Sequence, residues 1–172
     1  MRRGHLLFLF HALAAGLWSC NGKTTSMASH HPDQVQEVPA CEPISYERTA
    51  CFGPCPVFEF NWDGAQNANL IIKRPFPNGT LSELEMGTFA ASIPPARAQT
   101  WCNRLDSVVL ALRYASLDSS YDNPRVTDLP AIITEINHHR VYNRMGGPNL
   151  TILYDELQFI MEDINWRSQS DL

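Results

Sequence analysis

The apolar residues of this chain change their spacing three times, and that alternation constrains the fold more than any other feature. Ile44, Tyr46 and Arg48 alternate with Ser45, Glu47 and Thr49, and Phe58, Phe60 and Trp62 share a second two-residue period. Such a period belongs to strands with one sheltered face. Asp63-Gly64 is a hairpin signal, and residues 70–74 read as the returning strand. Pro75, Pro77 and Asn78-Gly79 break that strand, and residues 84–93 read as a further one interrupted at Gly87. Pro95 suits a first helical turn, after which Trp101, Cys102, Leu105, Val108, Val109 and Leu112 fall on one helical stripe. Residues 116–128 read as a polar loop around Tyr121. Residues 131–136 and 140–145 then form a hairpin with Asn137-His138-His139 near its tip. Gly146-Gly147-Pro148 opens a second helix, whose buried stripe is Leu150, Leu153, Tyr154, Leu157, Ile160, Met161 and Ile164. Arg104 and Asp155 lie off both stripes and read as solvated positions that tolerate substitution.

Hairpins pair antiparallel, and two one-sided helices need one sheet face to cover. The expected fold is therefore α+β: a two-layer sandwich of mainly antiparallel sheet with two helices packed on one face. The globular domain is placed at residues 43–168, long enough for a core of its own.

Residues 1–19 read as a signal peptide. Arg2 and Arg3 precede a mostly apolar run from Leu6 to Leu17, twelve residues long, where a spanning helix needs about 20. The run ends in Leu17-Trp18-Ser19-Cys20, which resembles a bacterial lipobox, with Trp18 bulkier than that pattern prefers. The resemblance implies cleavage before Cys20 and a diacylglycerol on its thiol; two or three acyl chains of the palmitate kind anchor firmly at about 0.8 kcal/mol per buried methylene. Asn21, by the same resemblance, favours the outer membrane of a Gram-negative envelope. Residues 20–42 read as the lipidated Cys and a flexible tether without apolar periodicity, and His30-His31 reads as part of that solvated linker.

The net charge is -5, from 13 basic and 18 acidic residues, and only Lys23 and Lys73 are lysines. Removing residues 1–19 takes away two arginines and no acid, so eleven bases face eighteen acids and the mature charge is -7. No basic run forms a phosphate-binding stripe, which argues against nucleic acid as a partner. The sequence carries no Gly-x-Ser-x-Gly elbow, phosphate loop, His-Glu-x-x-His or dinucleotide fingerprint. Asp128, just before a strand and next to Pro130, reads as a carboxylate that fixes a turn by accepting backbone amides.

Residues Arg48-Thr49-Ala50-Cys51-Phe52-Gly53-Pro54-Cys55-Pro56-Val57-Phe58 resemble the signature of an uncharacterised bacterial domain-of-unknown-function family found in secreted and lipidated proteins. Its mark is Arg-Thr-x-Cys-Phe-Gly-x-Cys-Pro-x-Tyr, then a strand and an Asp-Gly turn; Phe58 stands here for the usual Tyr. Thr127-Asp128-Leu129-Pro130, the Gly-Gly-Pro before the last helix and Trp166 continue the likeness over about residues 43–168. The resemblance implies no particular activity.

Cys51 and Cys55 are the cysteine pair of that signature. An exported chain meets oxidising conditions, and a bridge between them closes about five residues and contributes about 2 kcal/mol on chain entropy. Cys41 and Cys102 remain. Bridged, they close about 62 residues and contribute about 4 kcal/mol; unbridged, Cys102 on its apolar stripe is a buried free thiol. The expected role is a lipid-anchored cell-envelope module, periplasmic or surface-facing, with a non-catalytic binding or structural function toward an envelope protein or polymer, and no cofactor. The alternative is an envelope Cu(I) or thiol-redox protein in which Cys51 and Cys55 work with His138 and His139.

Overall fold

The computed structural model describes residues 41–169. Alternation shapes its first half. In β1 (Ile44–Arg48), β2 (Val57–Trp62) and β3 (Asn67–Arg74), Ile44, Tyr46, Phe58, Phe60, Trp62, Ala68, Leu70 and Ile72 turn to one buried face. β4 (Gly87–Ser92) completes the meander, α1 (Pro95–Ala111) crosses back, and β5 (Ser120–Tyr121), β6 (Ile132–Ile136), β7 (His139–Asn143), α2 (Thr151–Glu162) and β8 (Arg167–Ser168) follow. The eight strands form one sheet in the order β5-β7-β6-β1-β2-β3-β4-β8. Every pairing is antiparallel except β5 with β7.

Both helices cover the same face. The Trp101 ring of α1 meets Trp62 edge-on at 5.6 Å, and the Tyr154 ring of α2 stacks over Tyr46 at 6.2 Å. Leu105, Leu153, Leu157, Ile160 and Met161 are buried between helices and sheet. The architecture is a two-layer α+β sandwich. Among the described residues no helix is long and apolar enough to cross a membrane.

The register gives the sheet two ends. At one, Ile44 lies opposite Trp62 and Ile136; at the other, Arg48 lies opposite Phe58 and Ile132. The chain reaches β1 from Cys41, whose N–H donates to the Gly64 carbonyl at 3.0 Å in the β2–β3 turn. Asp63 holds that turn by accepting from the N–H groups of Ala65 and Asn67 and from the Asn67 side chain. Cys41 is also bridged to Cys102 of α1, with Cα atoms 5.6 Å apart.

Several stretches differ from the sequence reading. The strand expected over residues 84–93 begins only at Gly87; before it Thr80–Glu83 turns as a 3-10 helix and buries Leu81. The supposed polar loop contains β5, and β8 runs along β4. Two-residue strands are too short to show a period. His139 belongs to β7 rather than the hairpin tip, which is the pair Asn137-His138, both at positive φ. Arg104 is not a free surface residue either, since it pairs with Glu156 at 2.7 Å and lies 4.3 Å above the Phe159 ring.

Candidate functional site

The residues between β1 and β2 form a closed, braced loop at the Arg48 end of the sheet. Pro54 and Pro56 have no amide hydrogen to donate, so the ladder cannot continue through them. Thr49 pins the start of the loop to the neighbouring strand: its N–H donates to the Ala131 carbonyl at 3.0 Å, and its Oγ1 accepts from the Ala131 N–H at 2.8 Å. Cys51 and Cys55 are bridged, with Cα atoms 6.1 Å apart.

Arg74, at the end of β3, holds the loop from beneath. Its Nη1 donates to the Gly53 carbonyl at 2.8 Å and lies 3.4 and 3.5 Å from the carbonyls of Cys51 and Cys55. The Phe52 N–H donates to the Asp128 carbonyl at 3.2 Å. Asp128 thus acts through its backbone, and the expectation that its carboxylate fixes the turn is corrected. The outcome is a loop whose polar backbone is engaged while the phenyl ring of Phe52 stands 95% exposed. Leu129, next to Asp128, is 44% exposed beside it.

Arg48 ends β1 on the helix-covered face, and its Nε is buried without a hydrogen-bond partner. Burial pushes the Tyr46 hydroxyl well above the usual phenol range, against the opposing pull of the Arg48 charge.

His138 and His139 lie elsewhere. They sit at the Ile44 end of the sheet, across the length of β6 from the Ala131 contact that pins the loop. Four residue steps of a strand span about 13 Å, whereas metal–ligand bonds are about 2.0–2.3 Å. Cys51, Cys55, His138 and His139 are therefore not brought together. The His139 ring is engaged locally, with Nε2 3.1 Å from the Leu117 carbonyl and its face edge-on to Tyr114. Tyr114 bonds Thr134, the buried polar side chain of β6, and burial, only partly offset by that bond, pushes its pKa up to about 12. Among the described residues no group of three or more His, Cys, Asp or Glu is placed to hold a metal ion.

A comparison with protein-family models matches residues 42–161 to a domain of unknown function (DUF6438). The chain belongs to the DUF6438 family. The match begins one residue after Cys41 and ends one residue short of the end of α2, so the DUF6438 domain contains the braced loop, α1 and nearly all of α2. No curated protein and no solved structure matches the chain. Residues 1–19, Cys20 and the tether through residue 40, with His30 and His31, lie outside the described residues of this DUF6438 protein, whereas Cys41 at the tether's end is held by its bridge to Cys102.

Sequence reasoning found the cysteines of the loop but missed Arg74 and the exposure of Phe52. Arg74 sits next to Lys73 on a strand and carries no local signal of a contact 21 residues away. Phe52 was legible in principle: a residue between two bridged cysteines and two prolines has no slack with which to reach the core.

Proposed function

We propose that this protein is a lipoprotein of the cell envelope, anchored through Cys20, whose DUF6438 domain has a non-catalytic binding or structural role toward an envelope protein or polymer. The observation that carries this reading is the build of the Cys51–Cys55 loop. Its thiols are joined to each other, its carbonyls are taken up by Arg74, and its one large side chain points outward. That is a display element rather than a reactive one. Two bridges within one small domain support an oxidising compartment, and the Leu17-Trp18-Ser19-Cys20 stretch supports lipidation there. Asn21 supports the outer membrane as the destination.

Fractionation of cells carrying the parent and Cys20→Ser proteins tests the anchor. The parent is expected in the membrane fraction, with globomycin blocking its processing, and the variant as soluble protein or uncleaved precursor. Normal maturation of the variant, or free release of the parent into the medium, overturns lipidation. Stoichiometric Cu(I) binding by the purified protein, lost in Cys51→Ser and weakened in His138→Ala, would replace the non-catalytic reading by the copper or thiol-redox one.

A further inference from the structure

Several arginines have their guanidinium groups engaged. Arg74 holds the Gly53 carbonyl, and Arg97, Arg104 and Arg144 pair with Asp163, Glu156 and Asp122. Arg48 differs. It is half-buried at the end of β1, its Nε is sealed from solvent, and no N–H of its guanidinium has a hydrogen-bond or ion-pair partner among the described residues. Its neighbours in register are Phe58 and Ile132, whose side chains offer no acceptor. A cation drawn partly out of water without a counter-charge destabilises the fold, and one anion placed against it offsets that penalty.

Tyr46 precedes Arg48 by two residues and shares its face of the sheet. The residue is 3% exposed, yet its hydroxyl has no hydrogen-bond partner among the described residues, where a buried hydroxyl is ordinarily satisfied. Thr134, opposite Tyr46 on β6, already has its hydroxyl bonded to Tyr114. The Tyr154 ring stacks on Tyr46 at 6.2 Å, and its hydroxyl oxygen accepts from Asn143 at 3.1 Å, which leaves its O–H free to donate. The unmet groups gathered here, a guanidinium and two phenols, can all donate.

We propose that Arg48 and Tyr46, with Tyr154 beside them, form a binding site for a carboxylate group. With Nε sealed, Arg48 presents the outer edge of its planar fork, and that edge matches the two oxygens of a carboxylate. The Tyr46 hydroxyl donates to one of those oxygens. Charge selects a monoanion: one guanidinium meets one negative charge, and Asp155, the acid whose charge reaches Tyr46, opposes a second. The inference rests on the reading of the domain as a binding module and names the class of group bound; no residue of the anchor or tether enters it.

The experiment titrates the purified full-length protein, labelled with heavy nitrogen, with acetate replacing chloride at constant ionic strength. NMR follows the backbone amides of β1 and the Arg48 Nε–H, which burial shields from exchange with water. A saturable shift in the millimolar range is expected. Arg48→Lys, which keeps the charge but not the fork, is expected to bind about tenfold more weakly. Tyr46→Phe removes only a hydroxyl and is expected to weaken binding about threefold, with the melting temperature of the parent retained or raised. Arg140→Met, at an exposed arginine of β7, should leave affinity within about twofold. N-acetylglycine and glucuronate then separate the sources of the group: tighter binding of the first supports the site with a peptide terminus as its ligand, and of the second with an acidic sugar. Dimethyl phosphate binding more tightly than acetate, no saturable shift, or parent affinity in both Arg48→Lys and Tyr46→Phe each overturn the site. Those failures leave a binding module with another ligand, whereas Cu(I) binding at Cys51 and Cys55 removes the module reading itself, so the two are told apart.

Discussion

The backbone of Cys41 lies directly over Gly64. The Cys41 N–H donates to the Gly64 carbonyl at 3.0 Å, and a Cβ on Gly64 would overlap the Cys41 carbonyl. Gly64 also has a φ of 76°, in the left-handed region. Two independent demands therefore select glycine there, one from the turn and one from the strap above it.

Gly64→Ala is expected to destabilise the domain by about 2 kcal/mol or more, since a left-handed non-glycine residue alone costs about 1–2 kcal/mol and the strap must shift as well. Urea unfolding measures it. A change within about 0.5 kcal/mol, the range for an indifferent surface position, would show that the strap does not press on the turn.

The two bridges should differ in weight. Cys41–Cys102 joins residues 61 apart in sequence, and Cys51–Cys55 joins residues 4 apart. Loop-closure entropy predicts losses of about 4 kcal/mol for the Cys41→Ala/Cys102→Ala pair and about 2 kcal/mol for Cys51→Ala/Cys55→Ala. Calorimetric melting of the two double variants should rank them in that order, and the reverse order contradicts the chain-entropy account.

Arg104 and Glu156 make a third case. Glu156 is 11% exposed in its side chain, its Oε2 accepts from Arg104 and its Oε1 is buried without a partner. Arg104→Ala strands a mostly buried carboxylate and should cost about 1–3 kcal/mol. Adding Glu156→Leu should recover much of that loss, so a double-mutant cycle reads the coupling directly. For scale, Leu105→Ala and Leu157→Ala, both in the core, should each cost about 2–5 kcal/mol. An additive cycle would mean that the pair is incidental.

Asp63 supplies a pH dependence. Burial alone would raise its pKa, but hydrogen bonds from Asn67, Ala65 and Gln66 outweigh it and hold the carboxyl below the usual range. A depressed folded-state pKa contributes stability that is complete above the ordinary value of about 3.9 and is lost as pH falls through the folded value. Asp63→Asn should therefore be less stable than the parent at pH 7, with the gap closing below about pH 4. Melting curves collected from neutral to acid pH would refute this if the gap stayed constant.

The two-layer plan was readable because it rests on periods. Phe58, Phe60 and Trp62 cannot share a face unless they form a strand, and Leu150, Leu153, Leu157 and Met161 cannot unless they form a helix. β5 and β8 were not readable, since two residues carry no period and their pairing is decided by which sheet edge lies near. The loop was half legible. Cysteine and proline spacing announce a constrained turn, but the Arg74 guanidinium that braces it comes from another strand, and only the folded register brings the two together. The separation of His138 and His139 from the cysteines is likewise a matter of strand direction, which spacing along the chain does not encode.

The Cys41–Cys102 bridge also decides how a pull on the chain would be borne. Tension arriving from the N-terminal side meets the bridge three residues before β1 begins. Part of the load passes through sulfur into α1, whose Trp101 and Leu105 are seated in the core. β1 lies mid-sheet between β2 and β6, so it is not left to be drawn out alone. Pulled at Cys41, a domain of this design resists as a unit.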